Sequence, residues 1–392
     1  MYTMQNLFDE ITQRRGSGSV KWDATPEEVI PLWVADMDFP AAPPIRRAIE
    51  QRAAHGIYGY ARVPDAYYEA IIRWFATRHD WHISRDHILY TTGVIPAVAA
   101  ALRAVTLPGE KVLIQSPVYN CFYYSIRNAG CEVQDSPLVL GSDQRYTIDF
   151  ADLEAKASDP RCTAMLLCNP HNPAGRVWSP NELTRIGDIC HNHGVRVLSD
   201  EIHCELIMPG HVFTPFATLP MPWAQDAVVM NSPSKNFNIA GLQVANIIVP
   251  DPVVRRHIDC AINLHETCDL NPFGIDALIA AYNEGGEWLD ALNLYLWQNF
   301  LALQDFVQRE LPHLRLTPLE GTYLAWLDVR SLGIPTTAIE ASLKEVERVW
   351  VNSGTLYGQD GFLRINLATQ RTRLMEGLQR MAKGLERLQT TR

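Results

Sequence analysis

Short apolar runs alternate with amphipathic stretches over most of this chain. Residues 88–91, 111–115, 163–168, 195–199, 227–231 and 246–249 are aliphatic or β-branched and end in polar or turn-forming residues, as buried strands do. Between and before them, the spacing of apolar positions predicts helices over 45–54, 65–79, 96–104, 119–128 and 181–193. The second of these places Tyr68, Ile71, Ile72 and Phe75 on one face. Apolar strands alternating with helices predict an α/β fold with a mainly parallel sheet covered on both faces. Ligands bind such sheets beyond the carboxyl ends of the strands. Gly93, Asn172, Asp200, Ser232 and Lys235 all follow strand ends, so one shared site is expected.

The pattern changes after Asn271-Pro272. A long helix is predicted over 286–311, carrying Trp288, Leu289, Leu292, Leu296 and Phe300. Strands follow at 322–328 and 362–367, with helices at 335–348 and 372–389, which describes a smaller α+β region. The chain is irregular up to about Arg47. There the stretch PLWVADMDFP (31–40) reads as a loop, because prolines and acids break any period. Such a loop either lines a site or simply packs Trp33. No internal repeat is found.

At 392 residues, two domains are the default. Hydrophobic residues at 47% and charged residues at 20% describe an ordinary soluble globular chain. A net charge of −10 leaves no basic surplus for nucleic acid. Neither a secretory h-region nor a run of about 18 apolar residues is present, and the eight cysteines include no CxxC pair. The expectation is a reduced, cytoplasmic protein with no membrane partner, in which Cys168 and Cys204 are packed thiols. The ligand types in Cys190-His191-Asn192-His193 and His203-Cys204 lack familiar metal spacing, so no metal site is expected.

The candidate chemistry centres on VVMNSPSKNFNIAGL (228–242). A lysine after a buried strand, beside hydroxyls and a glycine, suits a Schiff-base lysine near a bound phosphate. Taken alone, it reads equally as a solvated loop lysine.

Joined to NPHNPAGRVW (169–178), SDEIH (199–203), TYLAWLD (322–328) and FLRIN (362–366), that stretch resembles the fold-type I pyridoxal-phosphate enzymes, the class I/II aminotransferases and their relatives. PLWVADMDFP, HGIYGYARVPD and DEIHCEL resemble one branch, the MalY/PatB group of cystathionine or cysteine-S-conjugate β-lyases. The resemblance covers nearly the whole chain. It implies a large domain, 46–269, with a seven-stranded mainly parallel sheet, and a small domain formed by 1–45, as an N-terminal arm, and 270–392.

It also implies a set of roles. Lys235 forms the Schiff base with pyridoxal 5′-phosphate and takes the substrate Cα proton. Asp200 keeps the pyridine nitrogen protonated. Asn172 and His203 meet the phenolate oxygen, His203 standing where many aminotransferases have a tyrosine. Tyr119 stacks on the ring. The phosphate takes backbone donors from Gly93, Val94 and Ile95 at a helix start and hydroxyls from Ser232 and Ser234, Ser232 being the preferred one. Tyr60 reaches the phosphate across a homodimer interface, with Tyr58 as its competitor. Arg364, with Asn172, Tyr119 and the backbone of Ala35, receives the substrate carboxylate. Where many relatives carry a phosphate-clamping arginine, this chain reads Gly241-Leu242-Gln243, and no second arginine announces an acidic distal group.

The implied reaction on a small amino-acid substrate is α,β-elimination to thiol, pyruvate and ammonia. Transamination is the alternative, and a protein-binding regulator that keeps the fold is a second. The core residues serve both reactions and do not choose between them. An NAD enzyme is disfavoured, because no G-x-G-x-x-G follows an early strand.

Overall fold

Seven strands build the central sheet: β1 (Ile88–Thr91), β2 (Lys111–Ile114), β3 (Glu132–Asp135), β4 (Cys162–Cys168), β5 (Arg196–Asp200), β6 (Val228–Asn231) and β7 (Ala245–Ile248). The structure, a computed structural model, describes residues 6–390. The first five residues, part of the stretch read as lacking a leader, lie outside the described residues. The strand order is β1-β7-β6-β5-β4-β2-β3. The run from β6 to β3 is parallel, and β7 is antiparallel to both its neighbours.

Side-chain alternation explains why these strands read as unbroken apolar runs. Val112, Ile114, Ala164 and Leu166 face a core built with the helices α3 (Val94–Val105), α4 (Asn120–Asn128) and α7 (Pro252–Leu264). Leu113, Met165, Leu167 and Val197 face the opposite core, with α5 (Phe150–Ala157) and α6 (Pro180–Asn192). With both faces covered, neither parity of a strand is free to be polar. The α6 start is set by Ser179, whose side chain accepts from the Glu182 amide in a reciprocal capping box.

One expectation needs correction, and three elements had no prediction. Helix α2 (Asp65–His79), preceded by α1 (Pro43–His55), buries Tyr67, Ala70, Ile71, Trp74 and Phe75. The stripe is shifted from the predicted one because i, i+3, i+4, i+7 runs from Tyr67; Tyr68 is half-buried under the Arg85 guanidinium, 4.5 Å from its ring. Strand β3, EVQD, was not read from the sequence, since a polar edge strand carries no hydrophobic signal. Helices Pro252–Leu264 and Pro272–Glu284 were likewise missed.

A second sheet holds β8 (Arg315–Leu316), β9 (Leu324–Asp328), β10 (Asn352–Ser353) and β11 (Phe362–Asn366), in the order β8-β9-β11-β10. The long helix Gly286–Glu310 packs its apolar stripe, including Trp288, Leu292, Leu296 and Phe300, into the largest core. The irregular N-terminal arm joins this part by pairing Ile30–Pro31 in parallel with Val349–Trp350. Among the described residues no helix is long and apolar enough to cross a membrane, and none form a group of three or more His, Cys, Asp and Glu suited to a metal ion.

Candidate active site

Sheet register creates the site. Cys168 pairs with Asp200, and Asp200 with Met230, so β4, β5 and β6 end level with one another. The Asn169–Pro173 turn, Asp200 and the Ser232–Lys235 turn therefore emerge side by side. Strand β1 runs parallel to β6, which brings Gly93 and the start of α3 to the same edge. Strand β11 closes the site from the second sheet. The result is a cavity of about 500 Å³ lined by Ala35, Gly93, Val94, Ile95, Tyr119, Asn172, Asp200, His203, Ser234, Lys235 and Arg364.

Lys235 sits on one helical turn, Pro233–Asn236. Its Nζ donates to the Ala35 carbonyl at 2.7 Å. The amine opens to the cavity but is otherwise enclosed; burial lowers its pKa, Asp36 opposes that shift, and Arg364 adds to it. A lysine biased toward its neutral form is a competent nucleophile and base.

Asp200 is buried and accepts from the Ile202 amide at 3.1 Å. Burial pushes its carboxyl up to about 7. An unfolded chain loses that proton near a pH of about 4. Between these values the native state holds a proton that the unfolded state has released, so stability falls as pH rises through the window. Without cofactor, Asp200→Asn is expected to match the wild type in stability near pH 4 and to exceed it at pH 8, by up to about 4 kcal/mol. A pair of melting series with no pH-dependent gap overturns this.

His203 is buried among positive groups. Burial, then Lys235 and Arg364, hold its imidazole down to about 3, so it offers a neutral ring. Among the described residues its Nδ1 has no partner, and neither does Arg364 Nε. The Arg364 fork donates through Nη1 to Asn172 Oδ1 (3.3 Å) and through Nη2 to the Trp33 carbonyl (2.8 Å), with Tyr357 4.5 Å beneath it. Asn366, two residues on and so on the same strand face, donates to the carbonyls of Val34 (2.6 Å) and Asp36 (2.8 Å). Strand β11 thus grips the arm loop and presents Arg364 through one alternation. Behind the loop, the buried Lys21–Asp38 pair at 3.0 Å anchors it further.

Ser232, the preferred serine, does not line the cavity. Ser232 is buried behind the cavity, donates to the Val244 carbonyl at 2.6 Å and caps its helical turn by accepting from the Ser234 amide. Its hydroxyl proton is already committed, whereas Ser234 lines the cavity. Tyr60 does not reach its own chain's cavity and is fully exposed. Tyr58 is held within the chain, donating to the Ala53 carbonyl and packing on Phe273. At Ala35 the carbonyl, rather than the N–H, makes the contact to Lys235.

Sequence reasoning missed Cys121, Gln243, Asn352 and Tyr357, all of which line the cavity. Asn352 donates to the Trp33 carbonyl (3.0 Å) and the Tyr357 hydroxyl (2.8 Å). Only Gln243 carries a signal in the sequence, its place in the region where many relatives have an arginine. It adopts φ +51°, aligned with the cavity wall.

This donor set fits a flat, singly anchored ring with an anionic tail. The first-turn amides of α3 have no intrahelical partners and suit an anion. Asp200 is a buried carboxylate with no ion pair among the described residues, suited to a basic ring nitrogen. Arg364, with one guanidinium nitrogen left without a partner among the described residues, suits an anionic group on a second molecule.

The chain belongs to the aminotransferase class I and II family, which matches residues 27–381, and its fold is the pyridoxal-phosphate fold type I. Within that family it is 40% identical over 385 residues to cystathionine beta-lyase PatB of Bacillus subtilis (strain 168), covering 96% of this chain and 99% of that protein. It is 35% identical to protein MalY of Escherichia coli (strain K12), covering 95% and 96%. The crystal structure of cystalysin from Treponema denticola, which contains a pyridoxal 5′-phosphate cofactor, superposes with a TM-score of 0.94 at 35% identity, covering 97% of this chain and 99% of that one.

Proposed function

We propose that this protein is a pyridoxal 5′-phosphate-dependent carbon–sulfur β-lyase that cleaves L-cystathionine or a related cysteine S-conjugate to a thiol, pyruvate and ammonia. The observation that carries the reading is the convergence of Lys235, Asp200 and Arg364 on one cavity. The near full-length likeness to cystathionine beta-lyase PatB favours elimination over transamination. When bound, the cofactor supplies an electron sink that makes the substrate Cα–H acidic and lets a thiolate leave Cβ.

The chain's own residues do the rest. The α3 amides and Ser234 hold the phosphate, Asp200 holds the ring nitrogen, and Tyr119 covers one ring face. Arg364 binds the α-carboxylate as a bidentate fork steadied by Asn172. Lys235 Nζ, once free, takes the Cα proton. His203, neutral at working pH, contributes a hydrogen bond without adding charge. Gln243 leaves phosphate charge to be balanced by helix amides alone on that side.

Tyr60, exposed and uncommitted, supports a homodimer in which each chain lends this phenol to the other's phosphate; sedimentation at twice the chain mass is the check. The division into 46–269 and 1–45 with 270–392 is part of the same reading, supported by each sheet drawing its strands from one side of it.

The test is holoenzyme with L-cystathionine and no 2-oxo acid. Equal, sustained release of homocysteine, pyruvate and ammonia is expected. Turnover that needs an added 2-oxo acid overturns elimination.

A further inference from the structure

A second crevice, of about 180 Å³, adjoins the catalytic cavity along helix α4. One wall is Asn120, Tyr123, Tyr124 and Arg127; the other is the 355–358 turn. The four helix residues follow i, i+3, i+4, i+7 and so share a face. Asn120 and Leu356 line both spaces, which makes the two continuous. The opposite wall is closely fitted: Gly358, at φ +91°, lies where a Cβ would be 2.5 Å from the Tyr123 hydroxyl.

Arg127 stands about 10 Å along the helix axis from Asn120. Helical side chains lean toward the helix N-terminus, so its guanidinium leans back toward Tyr123 and the cavity mouth. That guanidinium makes no hydrogen bond or ion pair among the described residues. The nearby acid, Asp135, is engaged by the Ser116 amide and hydroxyl. The crevice therefore presents an uncommitted cation and two phenols beside the catalytic cavity, with which it shares Asn120 and Leu356.

We propose that this crevice is the subsite for the far end of the sulfur-linked group, with Arg127 receiving a carboxylate carried by the leaving thiol. The inference rests on the lyase reading and names its substrate class: cysteine S-conjugates whose thiol half is itself an amino acid or carboxylic acid. L-Cystathionine fits, since beyond Cβ it carries sulfur, two methylenes and a carbon bearing both ammonium and carboxylate. The guanidinium fork suits the carboxylate, and the phenol faces suit the ammonium.

The test compares wild-type and Arg127→Ala holoenzyme on L-cystathionine and S-ethyl-L-cysteine. The ratio of their kcat/KM values is expected to fall about two- to fivefold, through KM, as for an exposed charge pair. Arg127→Lys should recover part of it. An unchanged ratio overturns the proposal. Calorimetric binding of L,L-2,7-diaminosuberate, the carbon isostere that cannot release a thiol, is measured against L-norleucine on the same proteins. Selective loss of diaminosuberate affinity in Arg127→Ala supports the subsite, and equal loss overturns it. If wild-type enzyme releases no pyruvate from either sulfur substrate, the lyase reading fails, while the binding ratio still decides the crevice.

Discussion

Lys235→Ala is expected to lose activity by at least about 10³-fold while its fold survives. The side chain is the anchor for the cofactor and the base for the Cα proton, and a positioned base alone contributes about 10²- to 10⁴-fold. Stability should hold or rise, because burial already disfavours the charged amine and alanine removes that cost. The substitution deletes one native hydrogen bond, to the Ala35 carbonyl, and the arm loop stays tied by Asn366 through Val34 and Asp36. Pyruvate release and thermal melting, measured together, check both halves. A variant that keeps a tenth of wild-type turnover removes Lys235 from the chemistry.

Arg364→Ala is expected to lower kcat/KM by about 10²- to 10³-fold, mainly through KM. Truncating one partner of a desolvated, hydrogen-bonded charge pair costs about 2–5 kcal/mol, and the substrate carboxylate would be that partner. Arg364→Lys should recover little, since an ammonium cannot hold Asn172, the Trp33 carbonyl and a carboxylate with one planar fork. Asn352 still donates to Trp33 in both variants, so the arm loop is retained and the loss reads on binding. Steady-state kinetics with S-ethyl-L-cysteine, which has no distal charge, isolates this site from Arg127. A kcat effect with unchanged KM would place Arg364 elsewhere in the mechanism.

Much of this was legible before folding. Strand β4 announces itself as TAMLLC (163–168) because a strand covered on both faces has no polar parity. Asp200 and Lys235 stand out because each follows such a run. What the sequence left open, it left open for local reasons. Tyr67 and Tyr68 are adjacent aromatics, and periodicity alone does not choose which begins the buried stripe. Ser232 and Ser234 are both hydroxyls after a strand; only the position of the Val244 carbonyl shows that the first is occupied. Strand β3 has no apolar pattern, so pairing with β2 defines it rather than its composition.

The sequence by itself determined six of the seven sheet strands, the mainly parallel character of the sheet and the chemical types at the strand ends, because backbone periodicity and turn chemistry are local properties. Its resemblance pointed to the cofactor and the reaction for the same reason: the motifs are short and contiguous. Only the tertiary structure decided which of those groups meet. The level endings of β4, β5 and β6 set Asp200 beside Lys235. Antiparallel β11 carried Arg364 to Asn172 across 192 residues of chain. The close approach of the 355–358 turn to α4 made a crevice of Arg127, a residue unremarkable in the sequence. These are long-range register and packing facts. They depend on how buried surfaces fit together, and no local window of residues contains them.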